Sequence, residues 1–129
     1  MYEDQELVDL ENDLPRTIYA VPDKFWEFEA FGRESHPGAC VQANMHEQLA
    51  VLVLGSDFNR RSVSHVLIQP SHENGLTKET AFGLEPKSFA LRKIGLLHFD
   101  RKLGILSTED HEKLLTALAY QFREDSEEG

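Results

Sequence analysis

The chain has 129 residues, of which 40% are apolar and 28% charged, with a formal net charge of −10; that balance fits one globular domain and excludes a disordered or fibrous chain. The longest unbroken apolar run, Leu49 to Leu54, falls far short of the ~20 residues a membrane-spanning helix needs, and the first fifteen residues are acidic instead of basic and apolar, unlike an export signal. The single cysteine, Cys40, can neither close an internal disulfide nor build a zinc knuckle, so the expectation is a cytoplasmic protein with Cys40 buried and inert.

The charge is unevenly placed. Residues 1–15 hold six acids and no Lys or Arg, residues 124–129 hold four acids, and residues 16–123 hold thirteen acids against thirteen bases. The expected organisation is therefore an acidic N-terminal arm (1–15), a single folded domain (16–123) and an acidic tail (124–129). Solvated ends that aid solubility are the first reading of those acids; an arm that covers a basic groove as a phosphate mimic is the second.

Thr17 to Val21 (TIYAV) is β-rich and stops at Pro22. Lys24 to Phe31 alternates Trp26 and Phe28 with Glu27 and Glu29, which argues a strand, with a short helix from Asp23 as the alternative. Gly32 to Ser35 reads as a loop, His36-Pro37-Gly38 bars a helix, and Ala39 to Ala43 resumes as a strand. Leu49 to Leu54 (LAVLVL) suits a central strand buried on both faces. Val63 to Gln69 gives another strand before Pro70, and Asn74-Gly75 marks a turn ahead of a strand at Thr80 to Leu84. Phe89 to Leu91 and Ile94 to Phe99 are expected as two further extended pieces, with Asp100 to Lys102 as a polar turn. Ser107-Thr108-Glu109-Asp110 carries a helix N-cap and first-turn acids, and His111, Leu114, Leu115, Leu118, Ala119 and Phe122 recur at helical spacing as one apolar face. Short strands and one terminal helix, without βαβ alternation, predict a mainly β fold: a small barrel closed by a C-terminal amphipathic helix.

Several chemistries drop out. The H-E-x-x-H zinc pattern begun by His46-Glu47 and His111-Glu112 fails, because its second ligand would fall on Ala50 and Leu115. No metal site or cofactor is expected, and no nucleophile elbow or phosphate-cradling glycine loop is present. What remains is a pairing of two strand-end loops, Arg33 to His36 and Ser56-Asp57. RNA cleavage by internal attack requires a base for the ribose 2′-hydroxyl, an acid for the leaving oxygen and donors to the phosphate. His36, Arg33 and Ser56 are the candidate catalytic set; ordinary turn chemistry accounts for the same residues.

Taken in order, His36-Pro37-Gly38-Ala39-Cys40-Val41, Leu49 to Ser56 (LAVLVLGS), Ile68 to Phe82 (IQPSHENGLTKETAF) and Leu91 to Leu118 (LRKIGLLHFDRKLGILSTEDHEKLLTAL) resemble the PemK/MazF-like family of messenger-RNA interferase toxins. The resemblance spans residues 24–122 and rests on the order of segments, above all Leu103 to Ser107 leading into the last helix. It implies an SH3-like barrel, a homodimer, single-stranded RNA gripped at the dimer face, metal-independent cleavage and an antitoxin protein whose acidic segment blocks the groove. The family's Arg-Pro and Thr positions match His36-Pro37 and Ser56. His for Arg loses the permanent charge and the bidentate fork. His36 acting as acid or base, Arg33 taking over the charge, and loss of cleavage are the three outcomes this leaves open. Arg60, Arg61, Lys78 and Thr80 are the candidate RNA contacts. The competing expectation is a non-catalytic binding module whose groove holds a protein partner or the chain's own acidic arm.

Overall fold

The computed structural model describes residues 14–22, 35–44, 46–56 and 64–128. Seven strands form one antiparallel sheet: β1 Thr17–Pro22, β2 Ser35–Asn44, β3 Leu49–Ser56, β4 His65–Ile68, β5 Thr80–Gly83, β6 Lys87–Ala90 and β7 Lys102–Ile105. Helix α1 (Leu91–Asp100) lies between β6 and β7, and helix α2 (Thr108–Glu128) ends the fold. The strand order is β4-β5-β3-β2-β1-β7, with β6 paired to β3. The continuous apolar run is the centre of this sheet, as its pattern predicts. One edge of β3 pairs with β2; the other is shared by β6, opposite Leu49 to Leu52, and β5, opposite Gly55 and Ser56. The expected strand over Lys24 to Phe31 lies outside the described residues.

Alternation along the strands sorts the apolar side chains to two faces. One face gathers Leu14, Tyr19, Val21, Cys40, Ala50 and Leu52 under Leu91, Ile94 and Leu97 of α1. The other gathers Ile18, Ala39, Val41, Val53, Ile68 and Phe82 with Leu106 and with Leu114 and Leu118 of α2. Because the second set draws on strands from both margins of the sheet, it fills the inside of a curled half-barrel. Leu14, placed by the sequence in the acidic arm, is fully buried beneath α1.

Helix α1 overturns the expectation of an extended piece from Ile94 to Phe99. Leu91, Ile94 and Leu97 recur every three residues and bury one stripe against the sheet. Its start lacks the usual markers: Ala90 offers no side-chain cap, and the first turn holds no acid. Helix α2 begins as expected, with Ser107 Oγ accepting the Asp110 backbone N–H at 3.0 Å. Its buried stripe is narrower than predicted. Leu114 and Leu118 are buried, whereas Leu115 and Ala119 are exposed. Full burial of a leucine contributes roughly 1.5–3 kcal/mol, so two of them hold the helix to the inside of the curl.

The margins of the half-barrel are joined through the loop between β4 and β5. The Ile105 N–H donates to the Glu73 carbonyl at 2.8 Å, tying β7 to that loop. Asn74 is 1% exposed and organises the turn: its Oδ1 accepts from the Ser71 and Leu76 N–H groups, and its Nδ2 donates to the Gln69 carbonyl. Two glycines permit the backbones to touch. Gly75 has φ +70°, and a Cβ there would meet the Leu103 carbonyl oxygen at 2.0 Å; a Cβ on Gly104 would meet the Glu73 carbonyl oxygen at 2.3 Å. Gly104→Ala is accordingly expected to cost roughly 2 kcal/mol or more, as is Asn74→Ala, which strands buried backbone donors. Urea unfolding checks both; midpoints within experimental error of wild type contradict this account of the closure.

Candidate functional site

The register of β2 and β3 runs toward His36 and Ser56. Beyond the hairpin joining β2 and β3, the pairs Asn44↔Leu49, Ala43↔Ala50 and Gln42↔Val51 are followed by an irregularity, and the ladder resumes as Cys40↔Leu52, Ala39↔Val53 and Gly38↔Leu54. Val41 is the extra residue, and two residues on β2 there face one on β3. The paired ladder ends there, and continuing its register would bring Pro37 to Gly55 and His36 to Ser56. The proline contact is direct, since a Cβ on Gly55 would lie 3.0 Å from Pro37 Cγ. Without the bulge, the same ladder would carry His36 past Ser56 to the next residue. Directly opposed residues in an antiparallel pair have Cβ atoms about 4.5–5.5 Å apart on one face, which would put imidazole and hydroxyl within reach of one bound anion.

The face is also fixed. His36 pairs with Val21 of β1, whose side chain is fully buried with α1, so both side chains of the site belong to the α1 side of the sheet. His36 and Ser56 are half-buried. Both lie inside strands, whereas the sequence pattern assigns them to loops. Lys78 is exposed on the segment leading into β5 at this same end, because Ser56 pairs with Ala81.

Thr80 sits on the other face. It is 5% exposed, its Oγ1 donates to the Lys78 carbonyl at 3.1 Å, and its methyl converges with Phe82 and Pro37 on Gly55. A Cβ on Gly55 would lie 2.7 Å from Thr80 Cγ2 and 2.8 Å from Phe82 Cε1, so the glycine lets β2, β3 and β5 close beneath the site. Arg33, Arg60 and Arg61 lie outside the described residues.

Two hollows lie elsewhere. One of about 710 Å³ is bounded by Ser64, Leu84, Glu109, Glu112, Lys113, Thr116, Ala117, Tyr120 and Gln121, and one of about 430 Å³ by Val41, Gln42, Val51, Pro86, Ser88, Leu115, Leu118 and Ala119. Both adjoin α2 and neither is lined by a sequence-predicted site residue. The first presents two carboxylates to one ammonium, and the second is mostly apolar, so neither suits a polyanion. Among the described residues, no three His, Cys, Asp or Glu side chains converge as a metal site, and no helix is long and apolar enough to cross a membrane.

Two titratable groups have burial-driven shifts away from the site. The Cys40 thiol, which donates to the Gln42 carbonyl, is pushed up to about 12 by burial, against a smaller lowering from the Gln42 backbone, so it stays protonated and unreactive at neutral pH. His111 is held below its ordinary range by desolvation and by the nearby Arg16 charge, against a hydrogen bond to the Val41 backbone and the Glu112 charge. Its Nε2 is buried without a hydrogen-bond partner.

Several exposed bases escape the sequence reading: Arg92 and Lys93 on α1, and Arg101 and Lys102 just after it. The pattern reads Ile94 to Phe99 as extended and Asp100 to Lys102 as a turn, which hides the helix that carries Arg92 and Lys93 and ends at Arg101. Scans against protein-family models and curated proteins give no match to the chain.

The register yields a direct test. In a Cys40→Ser background, His36→Cys with Ser56→Cys should oxidise readily to an intramolecular disulfide, because opposed strand residues fall inside the disulfide window. His36→Cys with Thr80→Cys should stay reduced, and the reverse pattern on non-reducing electrophoresis would show the ladder to be misread. His111 supplies a second. Its folded form resists protonation, so as pH falls below about 6.5 the unfolded chain takes up a proton that the folded chain refuses, and stability drops. Urea midpoints compared at pH 7.5 and 5.5 should fall less for His111→Gln than for wild type; equal falls exclude His111 as the source.

Proposed function

We propose that this chain is a PemK/MazF-like barrel of the SH3-like kind that cleaves single-stranded RNA without a metal, with His36 and Ser56 as its reacting pair. The observation that supports the reading is the β2–β3 ladder, whose last pair is Gly38↔Leu54 and whose continuation would bring these two side chains to one face at the open end of the hairpin. The order of segments in the sequence supports the family, and the curled antiparallel sheet with its C-terminal helix is compatible with it. Homodimerisation, cytoplasmic residence and an antitoxin partner belong to the same proposal.

In this mechanism the ribose 2′-oxygen attacks the adjacent phosphorus as its proton passes to the His36 imidazole. The bond from phosphorus to the 5′-oxygen breaks, and a proton returned from the imidazolium or from water completes the 5′-hydroxyl end. The other product is a 2′,3′-cyclic phosphate. The Ser56 hydroxyl donates to a non-bridging phosphate oxygen as its charge develops, and Arg33 is the proposed cation for the same phosphate. His36 therefore replaces the family's fixed charge with a group that moves a proton.

Labelled single-stranded RNA incubated with a metal chelator should be cut by wild type and cut roughly 100-fold or more slowly by His36→Ala, in line with the loss of a general base. Ser56→Ala should slow cleavage with the fold intact. Equal rates for wild type and His36→Ala, or no cleavage by either, remove the nuclease reading.

One observation favours a second reading, in which the acidic arm occupies the site. Leu14 is buried under α1, so the chain enters the fold on the face that carries His36 and Ser56. Truncation to test it must stop at Asp13, because removing Leu14 opens the core. The shortened chain should gain RNA affinity that falls steeply with salt; unchanged affinity argues against masking.

A further inference from the structure

Among the described residues, exposed bases gather along α1 and the start of β7, and Glu109 and Glu112 are exposed on the first turns of α2. The net charge of the chain is −10, and the stretch forming α2 contains seven acids and two bases, yet the stretch from Lys87 to Lys102 contains five bases and one acid. That basic stretch is β6, α1 and the start of β7, of which α1 packs on the Tyr19, Val21 and Cys40 face of the sheet. Arg92, Lys93, Arg101 and Lys102 are exposed, and Leu96 between them is 67% exposed.

Register links these bases to the site. Lys102 pairs with Tyr19, Tyr19 pairs with Gly38, and Tyr19 is buried on the α1 face, so Lys102 belongs to that face. His36 stands two strands over and one side-chain step along, which on ideal strand spacings separates the two Cα atoms by roughly 12 Å. The Ala20 N–H donates to the Arg101 carbonyl at 2.8 Å, fixing the end of α1 beside the same row. From there Arg92 and Lys93 lie near the start of the helix, on the order of 14 Å further at 1.5 Å per residue. Helix geometry alone disfavours these two cations, because they occupy the first turn, where the macrodipole repels positive charge.

We infer that Lys102, Arg101, Lys93 and Arg92 form a phosphate-backbone track that carries a single-stranded nucleic acid across β1 and along the exposed side of α1 to the His36 and Ser56 pair. The inference rests on the nuclease reading for its choice of ligand. The track supplies affinity without reading sequence, since cations on phosphates fix position and not base identity. The acid-rich helix α2 on the opposite face repels the same ligand and leaves one side of the molecule for approach.

The test is the salt dependence of binding to a fluorescein-labelled 20-nucleotide oligouridylate, from 50 to 300 mM KCl, for wild type, for the triple variant Arg92→Gln, Lys93→Gln, Lys102→Gln and for Lys113→Gln on α2. Each lost contact to a single strand should lower the slope of log affinity against log salt by about 0.7. The triple variant should lose about two units of slope and at least tenfold in affinity at low salt, with Lys113→Gln matching wild type. These residues are exposed, and a thermal melt unchanged by the substitutions confirms the fold. Wild-type slope retained in the triple variant overturns the track and leaves cleavage by His36 standing. Binding lost in the triple variant, with the RNA uncut by wild type, supports the track and removes the nuclease. Substitutions that abolish binding of a polyglutamate peptide and spare that of RNA make the strip a dock for acidic protein and overturn the proposal, as does a wild-type protein that binds no RNA.

Discussion

The fold depends on a place where two backbones touch. Glu73 to Gly75 and Leu103 to Ile105 approach so closely that neither Gly75 nor Gly104 has room for a Cβ, and a single ladder-like hydrogen bond crosses the gap. This contact joins the margins of a sheet that would otherwise be open, and it sets the curvature that lets side chains of β1 and β4 share one interior. Asn74 makes the approach possible by satisfying the turn's donors from within. Leu106 and Ser107 follow directly, so the closure also aims α2 at the interior it covers.

The site depends on a different device, the extra residue at Val41. Side chains on a strand alternate, so a shift of one changes both the partner and the face. The bulge takes up that shift midway along β2, leaving Cys40 buried toward α1 and aligning Gly38 with Leu54, a register whose continuation runs toward His36 and Ser56. The same bulge meets the His111 imidazole, so one irregularity touches both the course of β2 toward His36 and the docking of the last helix.

Much of the β architecture is legible in the residues. The unbroken LAVLVL run announces a strand with covered faces, Asn74-Gly75 announces a turn, and Ser107 with its following acids announces a helix start. The register that runs toward His36 and Ser56 is not legible in that way, because nothing in Ala39 to Ala43 marks Val41 as the doubled residue. Helix α1 escapes for a physical reason too. It has no cap and no acid in its first turn, and tertiary burial of Leu91, Ile94 and Leu97 overrides its weak local signal. The missed helix conceals the basic strip, since charges read along an extended chain do not gather on a side. Helix α2 shows the converse error: its spacing admits Leu115 and Ala119 to the buried face, but the curve of the sheet receives only the row of Leu114 and Leu118.

The shared edge of β3 has a consequence for how the molecule opens. β2 flanks this strand from Leu49 to Leu54 on one side, and on the other β6 takes Leu49 to Leu52 and β5 takes Gly55 and Ser56. No run of its amides waits at a margin, whereas β4 and β7 stand at the ends of the order. Local opening draws first on elements with the fewest buried contacts, so the strands at the ends fray while the middle persists. The tight β2–β3 hairpin is also cheap to form early, because its pairing spans little sequence. The paired body of the β2–β3 hairpin, from Gly38 to Leu54, is thus the most durable fragment of the fold and persists through fluctuations that loosen the rest.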